Sequence, residues 1–508
     1  MLLHTWALAL LTLKRPAKGF VSYERGARGA AVVIDAGSTG SRAVIFDIVL
    51  DHHGQDDTTL YPKILLPLRN QKVADAVVNL LHSYFDCLQT GQCVDEEKAE
   101  EHSGLLAHFR ALREYVDDNV APEHRGSTVI LFRGTAGFRL VDEATLERYA
   151  EKVDAVLRRE FHQYAITPYA FRVYSGAEEA AAGFIALKAL VSSDCIDEIH
   201  NDVIHEGLVV RYLNPLTRGY LGLKECTRGQ PLYMFEVGGT SSQVGAELLE
   251  ATDPAFKHMR DVDTCGFVQL SASDPSMSLI HYKGHKLPIV LRSFLGQGRS
   301  MAVMNYLRML AKSGERHVHA ACLPRGVNVE ILDNPAVVLN LLRERDPENY
   351  FGSRPLAIGT SDYALCRRQV EELVDATLDG KVAFQPGALL YGTENFVYLI
   401  RDMGLPVDGT FTVTPRIFYS FASIVCPQDK TTLATFVNGA NRIQHLCFGL
   451  NFVATLAQRV LGLPENEKMV VTERIHDTQA SWAIGTVLLE LPTVLRDRFS
   501  KISAQAVH

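Results

Sequence analysis

Apolar residues recur along this chain with two different periods. Between Asp142 and Phe161 they fall at Leu146, Tyr149, Ala150, Val153 and Leu157, a three-and-four spacing that predicts an amphipathic helix with Asp142 as its cap. Leu105, Leu106, Phe109, Leu112 and Val116 predict another. Elsewhere the apolar residues come as short unbroken runs: Ala30 to Ile34, Ala43 to Val49, Thr128 to Phe132, Phe171 to Tyr174, Leu232 to Phe235 and Val244 to Leu249. These read as strands, and the alanine-rich stretch opening after Tyr174 and running through Leu190 reads as a helix. Strands alternating with helices of this length predict an α/β fold. The helical stripes are core faces. Polar stretches at Asp51 to Asp57 and Arg343 to Pro355 predict surface loops, and no low-complexity linker separates the two halves.

Two of the strand runs end in loops of matching order. Asp35-Ala36-Gly37-Ser38-Thr39-Gly40-Ser41-Arg42 follows the first, and Glu236-Val237-Gly238-Gly239-Thr240-Ser241-Ser242-Gln243 follows another about 200 residues later. A single Gly/Ser/Thr-rich stretch after a strand reads as a turn. Two in the same order read as duplicated half-domains. Glycine frees backbone amides to converge on a phosphate, hydroxyls add donors, and the carboxylate at each strand end offers a place for a hydrated cation. Two more strand ends carry polar chemistry. Arg133-Gly134-Thr135-Ala136-Gly137-Phe138-Arg139 is by itself an ordinary strand-to-helix turn. In Tyr174-Ser175-Gly176-Ala177-Glu178-Glu179 the acids suit a helix's first turn with no catalysis involved. Adjacent helical residues point about 100° apart, so at most one of these two glutamates faces a cleft.

Composition narrows the partners. The chain has 508 residues, 47% hydrophobic and 22% charged, with a formal net charge of −8. That supplies ample core material and, with no basic block, excludes a nucleic-acid polymer as partner. The N-terminus, Met1 to Phe20, holds an apolar stretch from Leu2 to Leu13, too short for a membrane span. It reads as a signal peptide or signal-anchor core, although its basic residues Lys14, Arg15 and Lys18 follow the apolar run; a disordered tail is the alternative. Any membrane contact is expected through this leader alone. Nine cysteines occur with no CxxC pattern, which argues against structural zinc, and no Asn-x-Ser/Thr sequon is present.

Taken together, these segments resemble the apyrase-conserved regions of the nucleoside triphosphate diphosphohydrolases, the apyrase and guanosine-diphosphatase family. The first loop matches that family's DAGSTGSR pattern in full. Arg133, Thr135, Ala136, Gly137 and Arg139 resemble its second region, the segment ending at Glu179 its third, and Gly238, Gly239, Ser241 and Gln243 its fourth. Phe294 to Gly298, Cys322 to Gly326, Gly359 to Cys366, Cys426, Cys447-Phe448 and Ser481 to Gly485 extend the likeness in the family's order from about residue 30 to 490.

The resemblance implies two RNase-H-like lobes of the actin, chaperone and sugar-kinase superfamily around a nucleotide cleft. The leader would occupy 1–28, the first lobe 29–172 with 483–508, and the second lobe 173–482. It implies metal-dependent hydrolysis of nucleoside tri- and/or diphosphates by direct water attack, with Mg²⁺ or Ca²⁺ as cofactor. Glu179 would be the base, with Ser241, Gln243, Thr135 and the Ala136 backbone orienting the water. Ser38, Thr39, Gly40, Gly238, Gly239 and Thr240 would cradle phosphates, while Arg42 and Arg139 brace loops or phosphate charge. Asp35 and Glu236 would hold the metal, through water. Glu236 stands where the family has Asp, and retained activity with an altered metal preference is the expectation. Phe396 or Tyr398 is the candidate for stacking on a base, with core packing as the alternative for both. Trp482 is expected in the core. Disulfides Cys322–Cys366, Cys426–Cys447 and Cys87–Cys93 are implied, and oxidised pairs would place the protein in a secretory lumen or outside the cell. An exopolyphosphatase, a sugar kinase and a non-catalytic nucleotide binder remain as alternatives on the same scaffold.

Overall fold

The computed structural model describes residues 28–52, 60–168, 170–191, 220–221, 231–248, 268–270, 277–282, 285–312, 314–332, 342–404, 410–437, 439–475 and 478–506. The leader, apart from Arg28, and Cys195, Cys226 and Cys265 lie outside the described residues. Arg28 belongs to the first strand rather than to the leader.

The first sheet contains β1 (Arg28–Gly37), β2 (Gly40–His52), β3 (Leu60–Ala74), β4 (Val129–Gly134), β5 (Phe171–Val173) and β6 (Tyr220–Leu221), in the order β5-β4-β1-β2-β3-β6. β1, β2 and β3 form an antiparallel meander, and β4 and β5 add in parallel beside β1. The second sheet contains β7 (Leu232–Val237), β8 (Ser241–Glu247), β9 (Val268–Leu270), β10 (Met277–Tyr282) and β11 (His285–Leu295). A small separate sheet follows from β12 (His317–Ala320), β13 (Asn328–Glu330) and β14 (Leu356–Gly359). The second sheet then resumes with β15 (Leu389–Glu394), β16 (Phe411–Val413) and β17 (Met469–Val471), and β18 (Arg474–Ile475) pairs with β19 (Thr478–Gln479). In the second sheet β7, β8 and β11 repeat the antiparallel meander, and β15 and β17 repeat the parallel pair. The duplicated loops therefore sit on duplicated five-stranded topologies.

The pattern of burial explains the continuous apolar runs. Along β1, Val32 and Ile34 pack under the helices Val77–Gln89, Leu105–Asn119 and Glu143–Glu160, while Ala31 and Val33 pack on the opposite face. A strand covered on both faces needs no polar alternation. The opposite face meets a two-helix layer, Gly176–Val191 and Trp482–Ala506, whose other side packs on Leu232, Met234 and Leu291 of the second sheet. The outer face of the second sheet is covered by helices Arg299–Ala311, Tyr363–Thr377, Asn395–Asp402, Pro415–Val425 and Ala440–Leu461. Alanines 180, 181, 182, 186 and 189 let the central helices approach closely. A Cβ on Gly485 would lie 1.8 Å from the Ala182 carbonyl oxygen, so the two helices cross backbone on backbone. Trp482 is buried against Tyr174, with ring centroids 5.5 Å apart.

The helix expected from Asp142 spans Glu143–Glu160, with Asp142 accepting from the Thr145 amide. The Arg343–Pro355 stretch is irregular apart from an isolated bridge at Glu344. The Asp51–Asp57 expectation changes, since Asp51 and His52 extend β2 and 53–59 lie outside the described residues. Cys87–Cys93, Cys322–Cys366 and Cys426–Cys447 are disulfide-bonded.

Candidate active site

Both signature loops are the tips of hairpins. In the first, Gly37 pairs with Gly40, leaving Ser38 and Thr39 as a two-residue turn, and Asp35 pairs with Arg42. Gly40 has φ +151°, and a Cβ there would lie 2.7 Å from the Val73 carbonyl oxygen, so only glycine fits. In the second, the Gly238 amide donates to the Ser241 carbonyl at 2.9 Å, leaving Gly239 and Thr240 as the turn, and Glu236 pairs with Gln243. Asp35 and Glu236 thus occupy the same place in their hairpins. The two tips touch: a Cβ on Gly239 would lie 3.0 Å from Ser38 Oγ and 3.1 Å from Thr39 Cγ2.

The second tip is braced from behind. Gly296 and Gly298 amides donate to the Thr240 carbonyl, the Arg299 amide to Gly238, and the Met301 amide to Gly239. Asn395 Nδ2 donates to the Val237 and Gly238 carbonyls at 2.6 and 2.8 Å. In a trans peptide the C=O and the following N–H point in opposite directions. Carbonyls of Gly238 and Gly239 turned toward the helix Arg299–Ala311 therefore aim the Gly239 and Thr240 amides away from it. The Thr135-Ala136-Gly137 turn leans on the first tip: the Thr135 amide donates to the Ala36 carbonyl at 3.3 Å, and a Cβ on Gly137 would lie 3.3 Å from Ser38 Cα.

The two adjacent glutamates separate as helical geometry requires. Glu178 accepts from the Ser175 amide through Oε2 while the Glu178 amide donates to Ser175 Oγ, a reciprocal capping box, and Arg172 holds the remaining oxygen at 2.7 Å. Glu179 turns inward and is 6% exposed. Its Oε2 accepts from Arg139 Nη1 at 2.7 Å and from Gln243 Nε2 at 3.3 Å. Ser241 Oγ accepts from Arg139 Nη2 at 3.1 Å and from Gln243 Nε2 at 2.6 Å. Gly176 opens this helix because a Cβ there would sit 2.3 Å from Ser293 Cβ on β11. Glu179, Ser241, Gln243 and Arg139 are therefore one bonded group beside the two tips.

Four carboxylates share this cleft. Burial raises Glu179, with Arg139 opposing and Glu394 adding to the rise. Burial, together with Glu179 and Glu394, raises Asp35 to about 7, with Arg42 and Lys72 opposing. Glu236 is pushed well above the carboxylate range by burial and then by Glu394, Glu179 and Asp35. Its Oε2 would lie 3.3 Å from a Cβ on Gly183, so the longer side chain reaches toward the helix Gly176–Val191 at a glycine. Burial alone would weaken the charge of Arg42, but Glu394 and Asp35 outweigh it. An all-oxygen, mutually repelling donor set of this kind suits a hard divalent cation.

Glu394 was not among the site residues expected from the sequence. It ends β15, the neighbour of β7, at φ +58° and ψ −110°, a conformation that costs a non-glycine residue energy and clusters at functional sites. A carboxylate closing a parallel strand, as at Asp35 and Glu236, was the signal available in the sequence. Of the two readings given for Phe396, core packing is the one observed. Phe396 is fully buried between Phe235 and Phe418, centroids 5.3 and 5.9 Å away, and offers no face to a base. Tyr398 carries the Arg401 guanidinium 4.8 Å over its ring and engages Arg42 and Glu394 through its hydroxyl.

Paired phosphate-type hairpins over a buried, hydrogen-bonded glutamate define a phosphohydrolase cleft. Residues 24–498 match the GDA1/CD39 (nucleoside phosphatase) family, and the chain belongs to it. It is an enzyme of the nucleoside phosphatase class. Human nucleoside diphosphate phosphatase ENTPD5 is 20% identical over 456 residues, covering 89% of this chain and 85% of that protein. The guanosine-diphosphatase of Schizosaccharomyces pombe is 21% identical over 481 residues, covering 91% and 73%. A solved structure of nucleoside triphosphate hydrolases from Neospora caninum shares the fold at TM-score 0.56 and 16% identity, covering 97% of this chain and 96% of that one.

Proposed function

We propose that this enzyme releases the terminal phosphate of nucleoside di- and triphosphates by direct attack of water, with a divalent cation, Mg²⁺ or Ca²⁺. The observation that carries this is the convergence of Arg139, Ser241 and Gln243 on Glu179 beside two opposed hairpin tips. Glu179 accepts the proton of the attacking water at its carboxylate. Ser241 Oγ and Gln243 orient that water, with Thr135 and the Ala136 backbone at the adjoining turn. Arg139 holds the Glu179 carboxylate in direction and favours its ionised form against burial. The Ser38-Thr39-Gly40 and Gly238-Gly239-Thr240 tips supply amides and hydroxyls to the phosphate chain, so charge develops against fixed donors. Asp35 and Glu236 would hold the cation, through water, and it would supply Lewis-acid neutralisation of phosphate oxygens. Arg42 braces Glu394 and Asp35 from the first sheet.

Three disulfides support an oxidising compartment, a secretory lumen or the cell exterior. Among the described residues no helix is long and apolar enough to cross a membrane. The test is phosphate release from ATP, ADP, GDP, UDP and polyphosphate, with and without EDTA. Nucleotide hydrolysis abolished by EDTA is expected. Glu179→Gln should abolish turnover while nucleotide binding persists, and near wild-type turnover in that variant rejects the base assignment. Release from polyphosphate alone would assign the scaffold to an exopolyphosphatase instead.

A further inference from the structure

A buried charge cluster adjoins the base helix, and the chemistry above makes no use of it. Arg133, at the end of β4, is 1% exposed. Its Nη1 donates to the Phe132 and Ala170 carbonyls at 2.9 and 2.7 Å, and its Nε donates to Glu490 Oε2 at 3.1 Å with Nη2 on the same oxygen. The Tyr174 hydroxyl donates to the other Glu490 oxygen and lies 3.0 Å from the Thr486 hydroxyl. Arg172 Nη2 divides itself between Glu490, at 3.3 Å, and Glu178, at 2.7 Å. Both Glu490 and Thr486 belong to the helix Trp482–Ala506. Burial works against the Glu490 charge, but Arg133 and then Arg172 outweigh it and hold the group below the ordinary carboxylate range.

A buried ion pair seldom adds stability over an apolar pair of the same volume, so its place here calls for a further reason. The bonding supplies one. The Tyr174 amide is fixed to the Gly134 carbonyl at 2.8 Å, one residue from Arg133. The Tyr174 carbonyl accepts from Arg139 Nη1 at 3.0 Å, and that same nitrogen donates to Glu179 at 2.7 Å. Glu490 therefore anchors Tyr174, Tyr174 anchors Arg139, and Arg139 aims Glu179. Every link is a hydrogen bond between buried or half-buried groups.

We infer that Arg133, Glu490 and the Tyr174 hydroxyl are positioning residues for the catalytic base, through which the helix Trp482–Ala506 governs the geometry of Glu179. The inference rests on the reading of Glu179 as base and adds a control element to it. Groups facing Glu179 are Arg139, Gln243 and Glu394, with Asp35 and Glu236 across the cleft.

The test compares the wild-type enzyme with Tyr174→Phe, which keeps the ring, and with the double variant Arg133→Met, Glu490→Leu, which replaces the ion pair by an apolar one. Thermal unfolding establishes that each is folded. The double variant should lose about 10- to 100-fold in kcat with KM for the nucleotide unchanged, because misplacing a reacting group by a fraction of an ångström costs rate rather than binding. Tyr174→Phe should lose rate in the same direction and by less. With Arg139 loosened, burial and Glu394 act on Glu179 with less opposition, so the acid limb of the kcat profile should move to higher pH in both variants. A folded double variant with wild-type kcat and an unmoved acid limb overturns the inference, since a purely structural cluster changes only the unfolding temperature. Absence of hydrolysis by the wild-type enzyme fails the proposed function itself, and the two failures are told apart by that control.

Discussion

Arg139 directs Glu179 and opposes the rise that burial imposes on it. Burial is the largest influence on the Glu179 carboxyl and raises it, while Arg139 is the largest influence lowering it. As the proposed base, Glu179 would have to be ionised to accept a proton, so activity should rise with pH through its raised titration. Arg139→Ala removes the opposing influence, and the acid limb of kcat/KM should shift to higher pH with a large fall in kcat; a pH–rate series checks both. The split between Glu178 and Glu179 was legible in the sequence, because a Ser-x-x-Glu spacing from Ser175 to Glu178 is a capping box and uses up the first acid. Glu490 was not legible, since its partner Arg133 stands 357 residues away and no local pattern links them. Glu236 in place of aspartate was visible, but the space that receives it, beside Gly183, comes from another element and shows only in three dimensions.

At the scale of elements, the central helices carry the tightest constraint. A methyl at position 485 would meet the Ala182 carbonyl at 1.8 Å, and no side-chain rotation relieves a backbone clash. Gly485→Ala should destabilise the protein by about 1–3 kcal/mol or more, the usual range for overpacking a close contact. Urea unfolding of the variant beside the wild type measures this. The hairpins were legible because their glycines, hydroxyls and strand-end carboxylates act locally. Core packing, the alternative given for Phe396, has a physical reason. Residues after β15 turn into the helix Asn395–Asp402, where Phe396, Val397, Leu399 and Ile400 form the buried stripe. Helical periodicity across those four positions outweighs the likeness of the segment to a stacking platform.

The whole molecule is a stack in which two like sheets share one inner layer of helices. The four cleft carboxylates come from both halves: Asp35 from the first sheet, Glu236 and Glu394 from the second, and Glu179 from the shared layer. A cation that Asp35 and Glu236 would hold between the halves should bind the folded state alone. At a concentration of 100 times its dissociation constant, Mg²⁺ or Ca²⁺ should stabilise the enzyme by about 2.7 kcal/mol. Because Asp35 titrates near 7, protons compete with the metal, and the gain in unfolding temperature should grow as pH rises through neutrality. Differential scanning calorimetry at several pH values tests this, and a pH-independent gain would count against Asp35 as a holder.

The shared layer also has a consequence for biosynthesis. The ribosome delivers Trp482 and the residues after it only once every strand of both sheets has emerged. Until then the first sheet lacks the part of its inner cover that this helix lays against β1 and β3, while Gly176–Val191 already packs on β7, β8 and β11. Nascent chains halted before Trp482 should hold a half-clad first sheet and attract chaperones, however complete their hairpin loops are.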